Sequence, residues 1–208
     1  MAETLDLLLA TGNPGKLREL RQLTARLPWR WRTLAEFPAI PEAREDQPTF
    51  AANAAAKALH YAAASGLPTL ADDSGLEVQA LNGRPGVHSA RFAGQPRSDA
   101  ANNRKLIESL RGVRSEKRAA RFVCAMAFVR AGRVLAQAEG AVEGRIIDEP
   151  RGENGFGYDP HFLIADRGRT MAELPPDEKN AISHRGRALR AILPQIERIL
   201  VSASKPPA

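Results

Sequence analysis

The stretch Leu67-Pro68-Thr69-Leu70-Ala71-Asp72-Asp73-Ser74-Gly75-Leu76 constrains this chain more than any other. An apolar run of this length, bounded by Pro and Gly, reads as a buried strand. It leads straight into two adjacent carboxylates. Ionised carboxylates side by side repel each other and lose hydration on burial, so the pair costs stability unless a cation neutralises it. Asp is a poor strand former, so propensity does not account for the pair. Two readings stand. Either Asp72 and Asp73 sit at a strand end, beside a glycine turn, and do chemistry, or Asp and Ser before Gly are ordinary turn and cap residues.

The remaining composition narrows the class. A chain of 208 residues with 43% hydrophobic content has the size and apolar content of one domain with a real core, or one domain with two lobes. A formal net charge of +6 suits an anionic partner without separating a nucleotide from a nucleic acid. The single cysteine, Cys124, lies inside the apolar run Phe122 to Val129, so it is expected to be a small buried side chain, and no intrachain disulfide can form. Glu3, Asp6 and the short apolar run Leu7 to Ala10 do not make a signal peptide, and no later segment is apolar enough to span a membrane. A soluble, cytoplasmic protein is expected.

Leu5 to Ala10 reads as a buried strand. It is followed by the tight loop Thr11-Gly12-Asn13-Pro14-Gly15-Lys16 and by a helix on which Leu17, Leu20, Leu23 and Leu27 recur. Strand, Gly-rich loop and helix present backbone N–H groups to an anion, and a lysine in the first helical turn is misplaced for the dipole unless a phosphate lies there. The spacing is not that of the Walker phosphate loop, and a plain turn ending in a solvated lysine is the other reading. Trp29 to Leu34 alternates like an edge strand, and residues 37–48, with three prolines, read as a loop. Thr49 is expected to cap an Ala-rich helix, Phe50 to Ser65, closed by Gly66. Lys57 on that helix, taken alone, reads as solvated.

Leu76 to Leu81 reads as a short strand or helix. Ser98 caps a helix through Leu106, Ile107 and Leu110, closed by Gly112. Three β-rich segments follow, Ala119 to Arg130, Val134 to Glu139 and Ala141 to Ile147, with a hairpin turn at Ala131-Gly132. They suggest an antiparallel lobe beside an α/β half. The second Gly-rich loop runs from Arg151 to Pro160. Its glycines let backbone approach a ligand while Phe156 and Tyr158 offer faces for a flat base, or else it is a turn with both rings in the core. Thr170-Met171-Ala172-Glu173 is a capping-box pattern broken by Pro175-Pro176. Lys179 and Ser183-His184-Arg185 precede a helix with Leu189, Ile192, Leu193, Ile196 and Ile199 on one face. Residues 202–208 are expected to be a disordered tail of this single domain, 1–208.

Thr11-Gly12-Asn13 through Lys16, Ala71-Asp72-Asp73-Ser74-Gly75-Leu76, Gly155-Phe156-Gly157-Tyr158-Asp159-Pro160, and Glu178-Lys179 with Ser183-His184-Arg185 occur in one order and register. Together they resemble the inosine triphosphate pyrophosphatase family, from Leu5 to about residue 200. The resemblance implies an α/β fold with a long central mixed sheet flanked by helices, and two lobes with the active-site cleft between them. It implies a homodimer, Mg²⁺ dependence, and hydrolysis of ITP, dITP or XTP to the monophosphate and pyrophosphate, with neither a membrane nor a nucleic acid as partner. By match to the family's motifs, Thr11, Gly12, Asn13, Pro14, Gly15 and Lys16 would hold phosphates, with Lys57 assisting. Asp73 would bind metal, together with Asp72, and act as general base. Ser74 would contact the nucleotide, and Phe156, Gly157, Tyr158, Asp159, Lys179, His184 and Arg185 would shape the base pocket.

One position departs from the pattern. Similar sequences carry Thr-Phe-x-Glu-Asn-Ala at the second helix, with the Glu helping to bind metal, where this chain has Thr49-Phe50-Ala51-Ala52-Asn53-Ala54. Three outcomes are open: Asp72 and water complete the Mg²⁺ sphere; Glu42, Glu45 or Asp46 takes the place; or the metal site is weakened. Two rival functions are a pyrimidine-active pyrophosphatase of similar fold and a basic nucleic-acid-binding module. The second is disfavoured by few aromatics and scattered basic residues.

Overall fold

A computed structural model describes residues 5–202. Its six-stranded sheet has the order β2-β1-β3-β4-β5-β6, and mixes parallel with antiparallel pairs. The strands are β1 (Asp6–Ala10), β2 (Arg30–Thr33), β3 (Thr69–Val78), β4 (Ala119–Arg130), β5 (Arg133–Ile146) and β6 (Phe162–Ile164). The helices are α1 (Pro14–Thr24), α2 (Phe50–Ser65), α3 (Asp99–Ser109), α4 (Pro176–Ile182) and α5 (His184–Ser202). The mixed sheet flanked by helices is the expected fold class. The chain divides into two compact units. The first comprises the described parts of Met1–Asp73, Cys124–Gly140 and Gly186–Ala208, and the second Ser74–Val123 and Ala141–Arg185.

In the first unit β1 lies between β2 and β3, parallel to both, with Leu8, Leu9 and Ala10 opposite Thr69, Leu70 and Ala71. A parallel strand covered on both faces reads as a continuous apolar run, and Leu7 to Ala10 are all buried and carry no polar residue. Leu7, Leu9, Leu70, Cys124, Met126 and Phe128 pack with Ala188, Leu189, Ile192, Ile196 and Leu200, the apolar face of α5. Helix α2 packs on β1 and buries Ala54, Ala58 and Ala62, four residues apart, so its small side chains bring helix and sheet close. Thr49 caps it through the Ala52 N–H, at 3.1 Å, and Gly66 closes it at φ +73°, as the sequence indicates. Cys124 is fully buried and forms no disulfide, also as expected.

The second unit has its own core, in which Leu76, Val78, Phe122, Val142, Ile146, Phe162 and Ile164 meet Leu106 of α3 and Leu110 at its C-cap, with Tyr158, Met171 and Leu174. Ser98 caps α3, accepting from the Ala101 N–H at 3.3 Å.

Several expectations need correction. Asp72 and Asp73 are not at a strand end: β3 runs on through Ser74, Gly75 and Leu76 to Val78, and a 3₁₀ turn at Gln79–Leu81 ends it. Gly75 serves close packing and not a turn. A Cβ there would sit 2.7 Å from the Gly86 carbonyl oxygen. The segments Val134 to Glu139 and Ala141 to Ile147 form one strand, β5, because Gly140 continues the extended backbone. The sequence reading missed β6, only three residues long. It also missed α4, where Pro176 occupies the first helical position that proline favours and so starts a helix where a break was expected. Ser202 is the last residue of α5, and the rest of the expected tail, 203–208, lies outside the described residues. Among the described residues no helix is long and apolar enough to cross a membrane.

Candidate active site

The carboxylates of β3 are deeply buried in the first unit, Asp72 at 1% and Asp73 at 6% exposure. Two lysines answer them. Lys16, in the first turn of α1, places Nζ 3.2 Å from Asp72 Oδ2, and Lys57 donates to the Asp72 main-chain oxygen at 2.8 Å. Lys57 is therefore buried at 6% exposure, and the solvated reading is wrong. Burial pulls its pKa down, but the charges of Asp72, Glu45 and Asp73 outweigh that and hold the ammonium protonated. Asp73 behaves in the opposite way. Burial raises its pKa above the usual carboxylate value; Lys16, Lys57 and the Asn53 amide pull it back, and Glu45 adds to the rise. Three carboxylates thus face two ammonium groups in a buried cluster, which favours a further cation.

The loop Thr11 to Lys16 holds Lys16 in place, but most of the backbone donors expected to be presented to an anion are occupied. Asn13 Oδ1 accepts from Gly15 N at 2.8 Å and Lys16 N at 3.1 Å, Asn13 N donates to Thr11 Oγ1 at 3.3 Å, and Pro14 has no N–H. Asn13 caps its own helix, so what this loop offers a phosphate is chiefly the Lys16 ammonium.

Residues 41–47, read from sequence as loop, run as an extended strap along α2. His60 Nε2 meets the Pro41 carbonyl oxygen at 2.8 Å, and the Ala43 N–H donates to Tyr61 Oη at 3.3 Å. Glu45 forms an ion pair with Lys57, and the Gln47 N–H donates to Asn53 Oδ1 at 2.9 Å. Ala43, Glu45 and Gln47 are partly buried, and Arg44 and Asp46 between them are exposed. Two extended residues advance about 6.7 Å and one helical turn about 5.4 Å, so Ala43, Glu45 and Gln47 meet Tyr61, Lys57 and Asn53, one turn apart. The strap brings Glu45 to the carboxylate cluster. Ala52, half-buried and joined to Thr49 through its N–H, supplies nothing there, and Asp46 instead accepts from Gln47 Nε2. Of Glu42, Glu45 and Asp46, it is Glu45 that is paired with Lys57 beside the two aspartates. Asn53, which the sequence reading passed over, is fully buried and also donates from Nδ2 to Asp73 Oδ2 at 2.9 Å. A lone Asn one turn into an Ala-rich helix was the available signal.

The second unit gathers the other predicted residues. Lys179 Nζ pairs with Asp159 Oδ2 at 2.5 Å, and the same oxygen accepts from the Phe156 N–H at 2.8 Å. Lys179 Nζ lies 5.0 Å, and Arg185 Cζ 5.7 Å, from the centre of the Phe156 ring. Arg185 is 1% exposed and donates from Nη2 to Ser74 Oγ at 2.8 Å. The glycine at 155 is required: φ is +80°, and a Cβ would meet the Asp159 carboxylate and lie 3.0 Å from Lys179 Nζ. His184 stacks on Phe122 at 4.9 Å, a partner that sequence reasoning did not name. Tyr158 differs from Phe156. Its ring belongs to the core, its hydroxyl donates to the Ser89 carbonyl at 2.8 Å, and burial pushes its pKa up. The reading that buries the rings of this loop in the core therefore holds for Tyr158, while the Phe156 ring is only half-buried.

The donor set suits Mg²⁺ and no all-protein metal cage. Among the described residues no group of three or more His, Cys, Asp or Glu side chains is arranged to hold a metal by itself. Mg²⁺ needs only one or two carboxylates, the rest of its sphere being water and substrate phosphate.

Comparison with known proteins agrees with this architecture. The sequence model of the Ham1 family matches residues 7–195. The chain is 51% identical over 183 residues to a dITP/XTP pyrophosphatase of Geobacter sulfurreducens, covering 88% of this chain and 92% of that protein. It is 49% identical over 193 residues to a dITP/XTP pyrophosphatase of Thermus thermophilus, covering 93% and 92%. Among solved structures, a HAM1 protein from Coxiella burnetii is similar with a TM-score of 0.83 and 42% identity, over 96% of this chain and all of that one. A nucleoside-triphosphatase/dITP/XTP pyrophosphatase from Mycobacterium abscessus gives 0.74 and 44%, over 91% of this chain and all of that one.

Proposed function

The chain belongs to the Ham1 family, and from that premise we propose that its first unit handles the triphosphate with Mg²⁺ while its second unit reads the purine. The reaction is hydrolysis of non-standard purine nucleoside triphosphates, dITP, XTP and ITP, to the monophosphate and pyrophosphate. The observation that carries the reading is the buried cluster of Asp72, Asp73 and Glu45 against Lys16 and Lys57.

Lys16 and Lys57 offset the phosphate charge that would repel a nucleophile. Asp73 accepts a proton from water as the water oxygen bonds to the α-phosphorus and the bond from that phosphorus to the bridging oxygen of pyrophosphate breaks. Its raised pKa makes it a stronger base than an exposed carboxylate. Asp73 and Asp72 would hold Mg²⁺, which when bound would supply a Lewis acid for the phosphate oxygens. In the second unit Phe156 offers a face to the base, and Arg185 offers only donors. Those donors suit the carbon-6 oxygen of hypoxanthine and xanthine and oppose the amino group of adenine. Guanine carries the same oxygen, so Arg185 discriminates against ATP and not GTP.

The family resemblance supports a homodimer acting in the cytoplasm. The test is pyrophosphate release from ITP, dITP, XTP, GTP, ATP and dUTP, with and without Mg²⁺. Preference for the first three, dependent on Mg²⁺, supports the reading; preference for dUTP favours a pyrimidine-active enzyme.

A further inference from the structure

We propose that Asp99 and Asn103 of α3 are positioning residues for base recognition, clamping Gly157 so that the Phe156 ring is held ready for the purine. This rests on the reading of Phe156 as a base-stacking residue. The Gly157 N–H donates to Asp99 Oδ2 at 2.7 Å, and Asn103 Nδ2 donates to the Gly157 carbonyl oxygen at 2.8 Å. The two bonds grip the peptide planes on either side of Gly157, one leading back to Phe156 and the other on to Tyr158. Residues four apart share one helix face, so a single helix supplies both jaws.

The helix is itself firmly placed. Asn102, between the jaws, accepts from the Ala93 N–H at 2.7 Å and donates to the Ala90 carbonyl at 3.1 Å. Leu106 and Leu110 are fully buried. On the far side of Gly157, Tyr158 is fixed by the Ser89 carbonyl. Phe156 is thus set from one side by the clamp and from the other by its N–H bond to Asp159. A loop with glycines at 152, 155 and 157 has wide conformational freedom, and fixing it before the ligand arrives lowers the ordering cost of binding.

The experiment is a double-mutant cycle on the full chain, read as KM and kcat for ITP and ATP by pyrophosphate release. Asp99→Ala and Asn103→Ala are each made alone and in a Phe156→Ala background; Asp99→Asn keeps an acceptor and serves as rescue. Each alanine variant is expected to raise the KM for ITP about three- to tenfold with little change in kcat. Asp99→Asn should restore most of the affinity, and the effect should vanish in the Phe156→Ala background. A merely structural role would lower the melting temperature in both backgrounds and leave no such coupling. Unchanged KM in the clamp variants, or effects that add to that of Phe156→Ala, overturns the clamp while leaving the base reading intact. If Phe156→Ala itself leaves KM unchanged, the base reading fails and the clamp proposal fails with it.

Discussion

Asn53 and Asp73 are joined by a hydrogen bond of 2.9 Å between Nδ2 and Oδ2, and the direction of that bond is fixed from the other end of the amide, where Oδ1 accepts from the Gln47 N–H. Asn53 must therefore donate to Asp73, and the strap that carries Glu45 is tied to the Asp73 carboxylate through one side chain. Replacing Asn53 with Ala removes a donor to a charged acceptor, worth about 1.5–3 kcal/mol. The expected result is a fall of roughly 10- to 100-fold in kcat/KM for ITP, with faster hydrogen exchange at the Gln47 amide. An Asn53→Ala enzyme of parental efficiency would show that the bond is incidental.

Glu45 and Ala52 give opposite expectations for metal. Glu45→Ala should raise the Mg²⁺ concentration needed for half-maximal activity, because it removes the third carboxylate beside Lys57 and Asp73. Ala52→Glu should leave that concentration near the parent's. It adds instead a capping-box acid at the third helical position of α2, worth about 0.3–1 kcal/mol near the positive end of the dipole. Magnesium titrations of activity and thermal melts on both variants check the pair. A marked drop in metal requirement for Ala52→Glu would return the metal site to position 52.

How much of this was legible beforehand depended on whether the signal was local. The caps at Thr49 and Ser98, the buried strand at Leu7 to Ala10 and the Ala-rich helix follow from side chains acting on their own backbone, and the structure has them. The end of β3 was misjudged because Gly75 answers to the distant Gly86 carbonyl and not to its neighbours. Lys57 was misread for the same reason: its partners, Asp72 and Glu45, are fixed only by the fold. The strap was invisible because its order comes from α2, not from any propensity of three prolines and mixed charge. The residues of the second unit were found by motif. No local signal distinguishes Tyr158, which turns into the core, from Phe156, which serves the loop.

Lys16 tunes Asp73. Its positive charge is the chief influence opposing the rise in Asp73 pKa that burial causes. Lys16→Met should therefore move the Asp73 carboxyl further up, and Glu45→Ala should move it down. Titration of the metal-free protein followed by carbon NMR at the carboxyl reads both directly. The acid limb of activity, where Asp73 must be ionised to act as base, should shift upward in pH for Lys16→Met. A shift downward would contradict the electrostatic assignment.

Arg185→Ala should raise the KM for ITP and narrow the preference over ATP, since the donors that oppose adenine's amino group are lost. The variant also removes the 2.8 Å bond from Nη2 to Ser74 Oγ, so some loss of thermal stability is expected as well. Substrate panels at matched enzyme concentration check this: equal fold-losses for ITP and ATP would mean that Arg185 does not read the base.

Asp73→Asn bears on the central claim most directly. Because burial raises the Asp73 pKa, the folded state holds that proton more tightly than the unfolded chain. The resulting stabilisation is present in acid and is lost as pH rises through the folded value, so at neutral pH ionised Asp73 is a net cost to the fold. A near-isosteric amide relieves that cost but is neither a base nor a comparable ligand for a hard cation. The measurement is pyrophosphate release from ITP and XTP by Asp73→Asn, beside the melting temperature of the metal-free protein at pH 7. The account predicts turnover reduced to background with an unchanged or raised melting temperature. Near-parental turnover with a normal Mg²⁺ response would contradict it.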